Sequence, residues 1–170
     1  MGGSSAPWTI PDMNYRGWYL STMTPYEEGV HQPEAAGAIG WLLYNAFHQT
    51  GQNKYRIGAE WALEFLSDWP TNPSYELQLP YGAYAAARMN AELGTEYDIE
   101  KIINWCFDVG PLRQWGAILG KWGVYDVYGL IGEADGTDYA FAMNTFEQIG
   151  ALVPLVRYDD RFARAIGKWY

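Results

Sequence analysis

Eight carboxylates, Asp12, Glu27, Glu28, Glu76, Asp126, Glu133, Asp135 and Asp138, fall in segments that hold only three basic residues, Arg16, Arg113 and Lys121. The chain has nine Trp, fourteen Tyr and six Phe, and thirteen of these aromatics crowd the same segments and the helix starts they lead into. Flat aromatic faces pack against the C–H faces of sugar rings, while their O–H and N–H groups reach the hydroxyls. A pair of carboxyl groups flanking a glycosidic bond supplies the acid and the base for its cleavage. One of the two must stay protonated near neutral pH, which burial or a neighbouring carboxylate achieves. The densest stretch is Trp122-Gly123-Val124-Tyr125-Asp126-Val127-Tyr128, followed by Glu133-Ala134-Asp135-Gly136-Thr137-Asp138-Tyr139. The catalytic candidates are Asp126 and Glu133, with Asp138 and Glu76 in reserve. Trp122, Tyr125, Tyr128, Tyr75 and His31 are the candidate sugar-binding residues. The plainer alternative is an aromatic lid over a core, with acids near helix starts answering the helix dipole.

Other chemistries find no support. Gly116-Ala117-Ile118-Leu119-Gly120-Lys121-Trp122 is one residue short of a phosphate loop, with Trp where Ser or Thr belongs. There is no Gly-x-Ser-x-Gly elbow. Cys106 is the single cysteine, so neither an internal disulfide nor a thiolate metal site can form. The two histidines, His31 and His48, lie 17 apart, which favours structural roles over metal binding. No metal and no cofactor is expected. A net charge of −9 argues against binding nucleic acid through its phosphates. No apolar run reaches the roughly 18 residues of a membrane span.

The elements that must position these groups read as helices. Glu34–Gln49, Pro80–Leu93 and Thr137–Val153 are apolar around most of their circumference, the pattern of buried helices. Each precedes a short turn and an amphipathic helix: Lys54–Ser67, Ile99–Phe107 behind an Asp98 cap, and a last one from about Phe162 to Tyr170. Asn45, Asn90 and Asn144 recur late in the buried helices, and Trp61, Trp105 and Trp169 recur in the amphipathic ones. This looks like a diverged internal repeat. The expected fold is all-α: three antiparallel helical hairpins in two layers, as half of an α/α toroid or as a compact six-helix array. Residues 1–33 form an aromatic-rich leading segment and 34–170 the hairpin domain. The long segments, roughly 1–33, 69–79 and 109–136, then converge at one end, where binding sites are usually built. The final helix stops without a Gly or Asn cap, which points to a piece of something larger. The first eight residues lack the layout of a secretion signal.

Asn72-Pro73-Ser74-Tyr75-Glu76 with Pro80-Tyr81-Gly82-Ala83-Tyr84, Ala87-Arg88-Met89-Asn90-Ala91-Glu92, Tyr139-Ala140-Phe141-Ala142-Met143-Asn144-Thr145, and the run from Arg157 to Trp169 resemble bacterial six-hairpin glycosidase-like, α/α-toroid proteins. The resemblance spans most of residues 30–170 and attaches to no characterised family. It implies hydrolase or lyase activity on a poly- or oligosaccharide, in a funnel reached by the long loops. The sequence leaves the location open; an extracellular or periplasmic one is favoured if the full-length protein acts on polysaccharide. Half of the usual toroid is absent, so a second copy or further hairpins would complete it. A non-catalytic carbohydrate-binding or scaffold domain is the alternative, because fold alone does not settle function.

Overall fold

The computed structural model describes residues 9–134 and 142–170. Two helices open the helical part, α1 (Ala35–Thr50) and α2 (Asn53–Asp68). The turn between them needs Gly51, which takes the left-handed conformation (φ 67°) and donates its N–H to Phe47 O. Helices α3 (Gln78–Leu93) and α4 (Ile99–Phe107) follow. Asp98 caps α4 by accepting the Lys101 N–H at 2.9 Å. Helix α5 (Ala142–Leu155), a 3-10 turn (Asp160–Phe162) and α6 (Ala163–Trp169) end the chain.

The all-α expectation is overturned. Residues 115–133, read as loop, form an antiparallel hairpin of β3 (Trp115–Trp122) and β4 (Tyr125–Glu133). A second, minimal pair lies in the leading segment, β1 (Trp18–Tyr19) with β2 (Thr24–Pro25). The reason is local. Two runs rich in aromatic and branched residues are separated by two residues, and the first of them, Gly123, supplies the positive φ (61°) that a tight hairpin turn demands. Trp115, Ile118 and Ile131 are buried, so the base of this hairpin is part of the core rather than a loop. It is tied to the helices at two points. Thr145 Oγ1 accepts the Ile131 N–H at 3.0 Å, and Trp169 Nε1 donates to Gly129 O at 2.8 Å. The architecture is therefore helices with an inserted β-hairpin, not three helical hairpins.

Helices α1 and α3 run side by side in the same direction: Gly37 meets Gly82, Trp41 meets Tyr81, and Tyr44 meets Glu92. Their approach is backbone to backbone. A Cβ on Gly82 would lie 2.6 Å from Gly37 Cα, and one on Gly37 would strike the Gln78 carbonyl oxygen. This close crossing sits one turn inside the start of each helix and fixes where the two starts stand relative to each other. Leu63, Leu66, Leu79, Met89, Ile99, Ile102, Leu152 and Leu155 complete the core. Cys106 is buried among them, its thiol donating to Ile102 O, and burial pushes its pKa well above that of a free thiol.

The recurring Asn residues do different work. Asn90 ties down the α3–α4 turn, accepting from Tyr97 N (2.9 Å) and Thr95 Oγ1 (2.8 Å) and donating to Tyr97 O (2.8 Å). Asn45 donates to Trp41 O within its own helix. The recurring Trp residues differ too: Lys101 lies over Trp105 at 4.6 Å, while Trp169 holds the hairpin.

Candidate functional site at the loop end

Three long segments do meet at one end. A groove of about 680 Å³ is lined by Asn14, Val30 and His31 from the first, Trp69, Asn72 and Pro73 from the second, and Pro111 and Leu112 from the third. Followed along the chain, each of these segments runs straight into a charged residue. Three residues after His31 stands Glu34, three after Pro73 stands Glu76, and directly after Leu112 stands Arg113.

Glu34 is the unusual member. It precedes the first turn of α1, where an acid would be expected to cap, yet its side chain makes no cap bond. It is 0% exposed, and among the described residues no other residue donates a hydrogen bond to either carboxyl oxygen. Burial of an unpartnered carboxylate is strongly unfavourable, so the group holds its proton instead. Its pKa is raised to about 7, chiefly by burial; its own backbone N–H and the Arg113 charge oppose this, and Glu76 adds to it.

Glu76 and Arg113 are half-buried, and the backbone around them is strained. Only three non-glycine described residues have positive φ; two are Glu76 (47°) and Gln114 (52°), the latter next to Arg113. Left-handed backbone at such residues is uncommon, and it gathers at sites where the surrounding structure imposes it. Tyr75 braces the group: the Arg113 guanidinium lies 4.1 Å over its ring, and its edge meets Trp115 at 5.2 Å. Replacing Glu76 by Gly is expected to raise stability by about 1 kcal/mol, roughly 2–4 °C in Tm for a chain of this size, because glycine carries no Cβ penalty there. A fall in Tm would show that the Glu76 side chain supports the fold.

The other candidates are placed differently. Asp126 lies at the exposed tip of the β3–β4 hairpin and is ion-paired with Lys121 across the strands at 2.6 Å, 59% of its side chain exposed. Glu133 stands at the hairpin base opposite Trp115. Seven residue steps of strand separate them, roughly 20 Å, so they do not flank one bond. Asp138 lies outside the described residues. Trp122 and Tyr125 face each other across the hairpin tip, with Tyr128 nearby and 79% exposed. Tyr75 and His31 belong to the loop end.

Three comparisons, with protein-family models, curated proteins and solved structures, find no match. Geometry alone carries the functional reading. Among the described residues no group of three His, Cys, Asp or Glu side chains is arranged to hold a metal ion. No helix among them is long and apolar enough to cross a membrane.

Glu34 was not among the sequence candidates. Its one signal was an acid placed directly before Ala35-Ala36-Gly37-Ala38-Ile39-Gly40, a run with no polar residue to share its burial. A second missed cluster lies at the opposite end of α1 and α3. There Glu92 accepts from Tyr44 Oη (2.7 Å) and Arg88 Nε (2.9 Å), with His48 Nε2 at 2.8 Å. Burial alone would raise the Glu92 pKa, but the bonds from Arg88 and Tyr44 outweigh it, and the pKa is lowered. Every group there has its partner, so the cluster reads as a strut between the helices.

Proposed function

We propose that the chain is a glycoside-active protein that binds a poly- or oligosaccharide at the loop end and cleaves it by carboxylate acid/base chemistry. The observation that supports this is Glu34, a buried carboxyl that keeps its proton up to about pH 7, feels the charge of Glu76, and stands three residues along the chain from His31 of a groove built from three loops. Glu34 is the proton donor to the departing glycosidic oxygen. Glu76, less buried, is the second carboxylate, acting as base or nucleophile. His31, Trp69, Asn14 and Asn72 give the groove the mixed ring-and-hydroxyl chemistry that sugars need. Because Glu34 has no contact with solvent, the reading requires the chain just ahead of it to part when sugar enters.

The test is release of reducing sugar from a broad glycan panel. Glu34→Gln and Glu76→Gln are each expected to lower turnover at least a hundredfold, within the usual range for a positioned acid or base. Wild-type activity is expected to fall as pH rises through about 7, where the donor loses its proton. Unchanged turnover in both variants would overturn the assignment.

A second reading is favoured by the hairpin tip. Tyr125 and Tyr128 are 65% and 79% exposed there, beside Leu119 and Val124. Aromatic side chains so open to water, one on each side of the hairpin tip, fit a surface that holds a glycan without cleaving it. Glycan binding without turnover, lost in Tyr125→Ala, would decide for this reading.

A further inference from the structure

A second cavity, of about 540 Å³, lies between the leading segment and helices α1 and α2. One wall is a furrow. Ala35, Ile39 and Leu43 stand on successive turns of one α1 face and run roughly 12 Å along it. Gly58 and Trp61 line it from α2; Gly58 stands at the Leu43 end, where a Cβ on it would meet Leu43 Cδ1 at 2.8 Å. The polar lining gathers at the other end. Gln32 precedes Ala35 by three residues, and Arg16 Nη1 reaches Gly29, where a Cβ would lie 2.7 Å from it. Asp12 accepts from the hydroxyl of Tyr15, whose ring is 6.3 Å from that of His31. From the turn between β1 and β2 come Leu20 and Met23, 80% and 63% exposed. Met23 holds a positive φ (55°), a conformation that glycine takes without strain. Such strain at a non-glycine residue gathers at ligand clamps and switch regions. Here it carries a methionine to the cavity, and the flexible thioether adapts to irregular apolar shapes.

We propose that this cavity binds one linear alkyl or acyl chain, carried by an amphiphile whose head bears no net charge. Apolar along the furrow and polar at one end, the lining matches the two parts of a single-chain amphiphile. A furrow along roughly two turns of helix suits a chain, whereas a compact ring would leave its length unfilled. Among the described residues that line it, the charged ones are Asp12 and Arg16, one of each sign. A head of net charge loses to one what it gains from the other, while an uncharged or zwitterionic head escapes that cost. The site is separate from the sugar groove: Met13 and Tyr15 line the chain cavity, and Asn14 between them lines the groove.

The experiment is calorimetric binding of octyl, decyl, dodecyl and tetradecyl maltoside, each below its micelle concentration. Affinity is expected to rise about three- to fourfold per added methylene, the transfer worth of one buried CH₂, and to level off by tetradecyl as the chain outruns the furrow. No dependence on length, or a rise without limit, overturns the proposal. Decanoate and decyltrimethylammonium are expected to bind at least fivefold more weakly than decyl maltoside; equal or tighter binding of either overturns it. Decylphosphocholine, compared with decyl maltoside, shows whether the uncharged or the zwitterionic head is preferred. Excess maltose is expected to leave chain binding intact, so failure of the sugar reading and failure of this one are told apart. Ile39→Trp, which fills the furrow, is expected to weaken binding at least tenfold, and Met23→Gly several-fold. Leu42→Ala, on α1 outside the cavity, is expected to change nothing. Circular dichroism confirms folding; should Ile39→Trp fail to fold, Met23→Gly decides, since glycine is at ease at that φ. A dimer that the amphiphile splits would give the cavity to a second copy, and binding seen only after residues 1–8 are deleted would give it to the chain's own leading residues; either overturns the proposal.

Discussion

Between pH 4.5 and pH 7 the folded protein is expected to lose on the order of 3 kcal/mol that its Glu34→Gln variant does not lose. Below pH 4.5 the carboxyl is protonated in both the folded and unfolded chains and contributes nothing. As pH rises, the unfolded chain releases the proton at its ordinary pKa of 4.5, while the folded protein holds it to about 7. The unfolded state then binds fewer protons, and stability falls with pH by about 1.4 kcal/mol per unit. Above about pH 7 the folded carboxyl ionises as well and the loss levels off. For a chain of this length the effect corresponds to roughly 6–12 °C in Tm. Urea unfolding of both proteins at pH 4.5, 6, 7 and 8 measures it. Parallel curves for the two proteins would mean that Glu34 finds a partner or solvent that keeps its pKa ordinary.

The second large effect concerns the crossing of α1 and α3. Gly37→Ala is expected to destabilise the protein by about 3 kcal/mol, the upper part of the usual range for overpacking, because the atom it meets is a backbone oxygen that cannot swing aside. Gly82→Ala faces the Gly37 backbone in the same way at 2.6 Å and is expected to cost a similar amount. The built-in contrast is Gly167 in α6, which has open space around it and an ordinary helical φ. Gly167→Ala is expected to stabilise by roughly 0.5–1 kcal/mol through helix propensity alone. If all three substitutions had equal effects, glycine's backbone entropy rather than the crossing would be the cause. Prising α1 from α3 also shifts Glu34 against Glu76, so activity is expected to fall further than stability does.

Part of this was legible in the residues. The unequal segment lengths pointed to a candidate site at the end where the three long segments meet, because long connections and short turns alternate along the chain. His31, Tyr75 and Glu76 could be found that way. Glu34 could not, because burial without a partner is invisible in a sequence: an acid before an apolar run reads as a dipole cap until the side chain is seen to cap nothing. The β-hairpin was missed for a different reason. Its aromatics looked like loop decoration, and the turn signal of Gly123 between two branched, aromatic runs was subordinated to a helical repeat. Asn45 and Asn90 reinforced that repeat by chance, since one bonds its own helix and the other a turn.

The lone thiol of Cys106 has a practical consequence. It is 1% exposed and hydrogen-bonded within α4, so a soluble thiol reagent cannot reach it while the helix is in place. With no other cysteine to compete, the rate of labelling under native conditions becomes a clock for α4 opening. If sugar closes the loop end over the same core, the clock slows, and a reaction with a single sulfur reports ligand binding without any need to know the substrate.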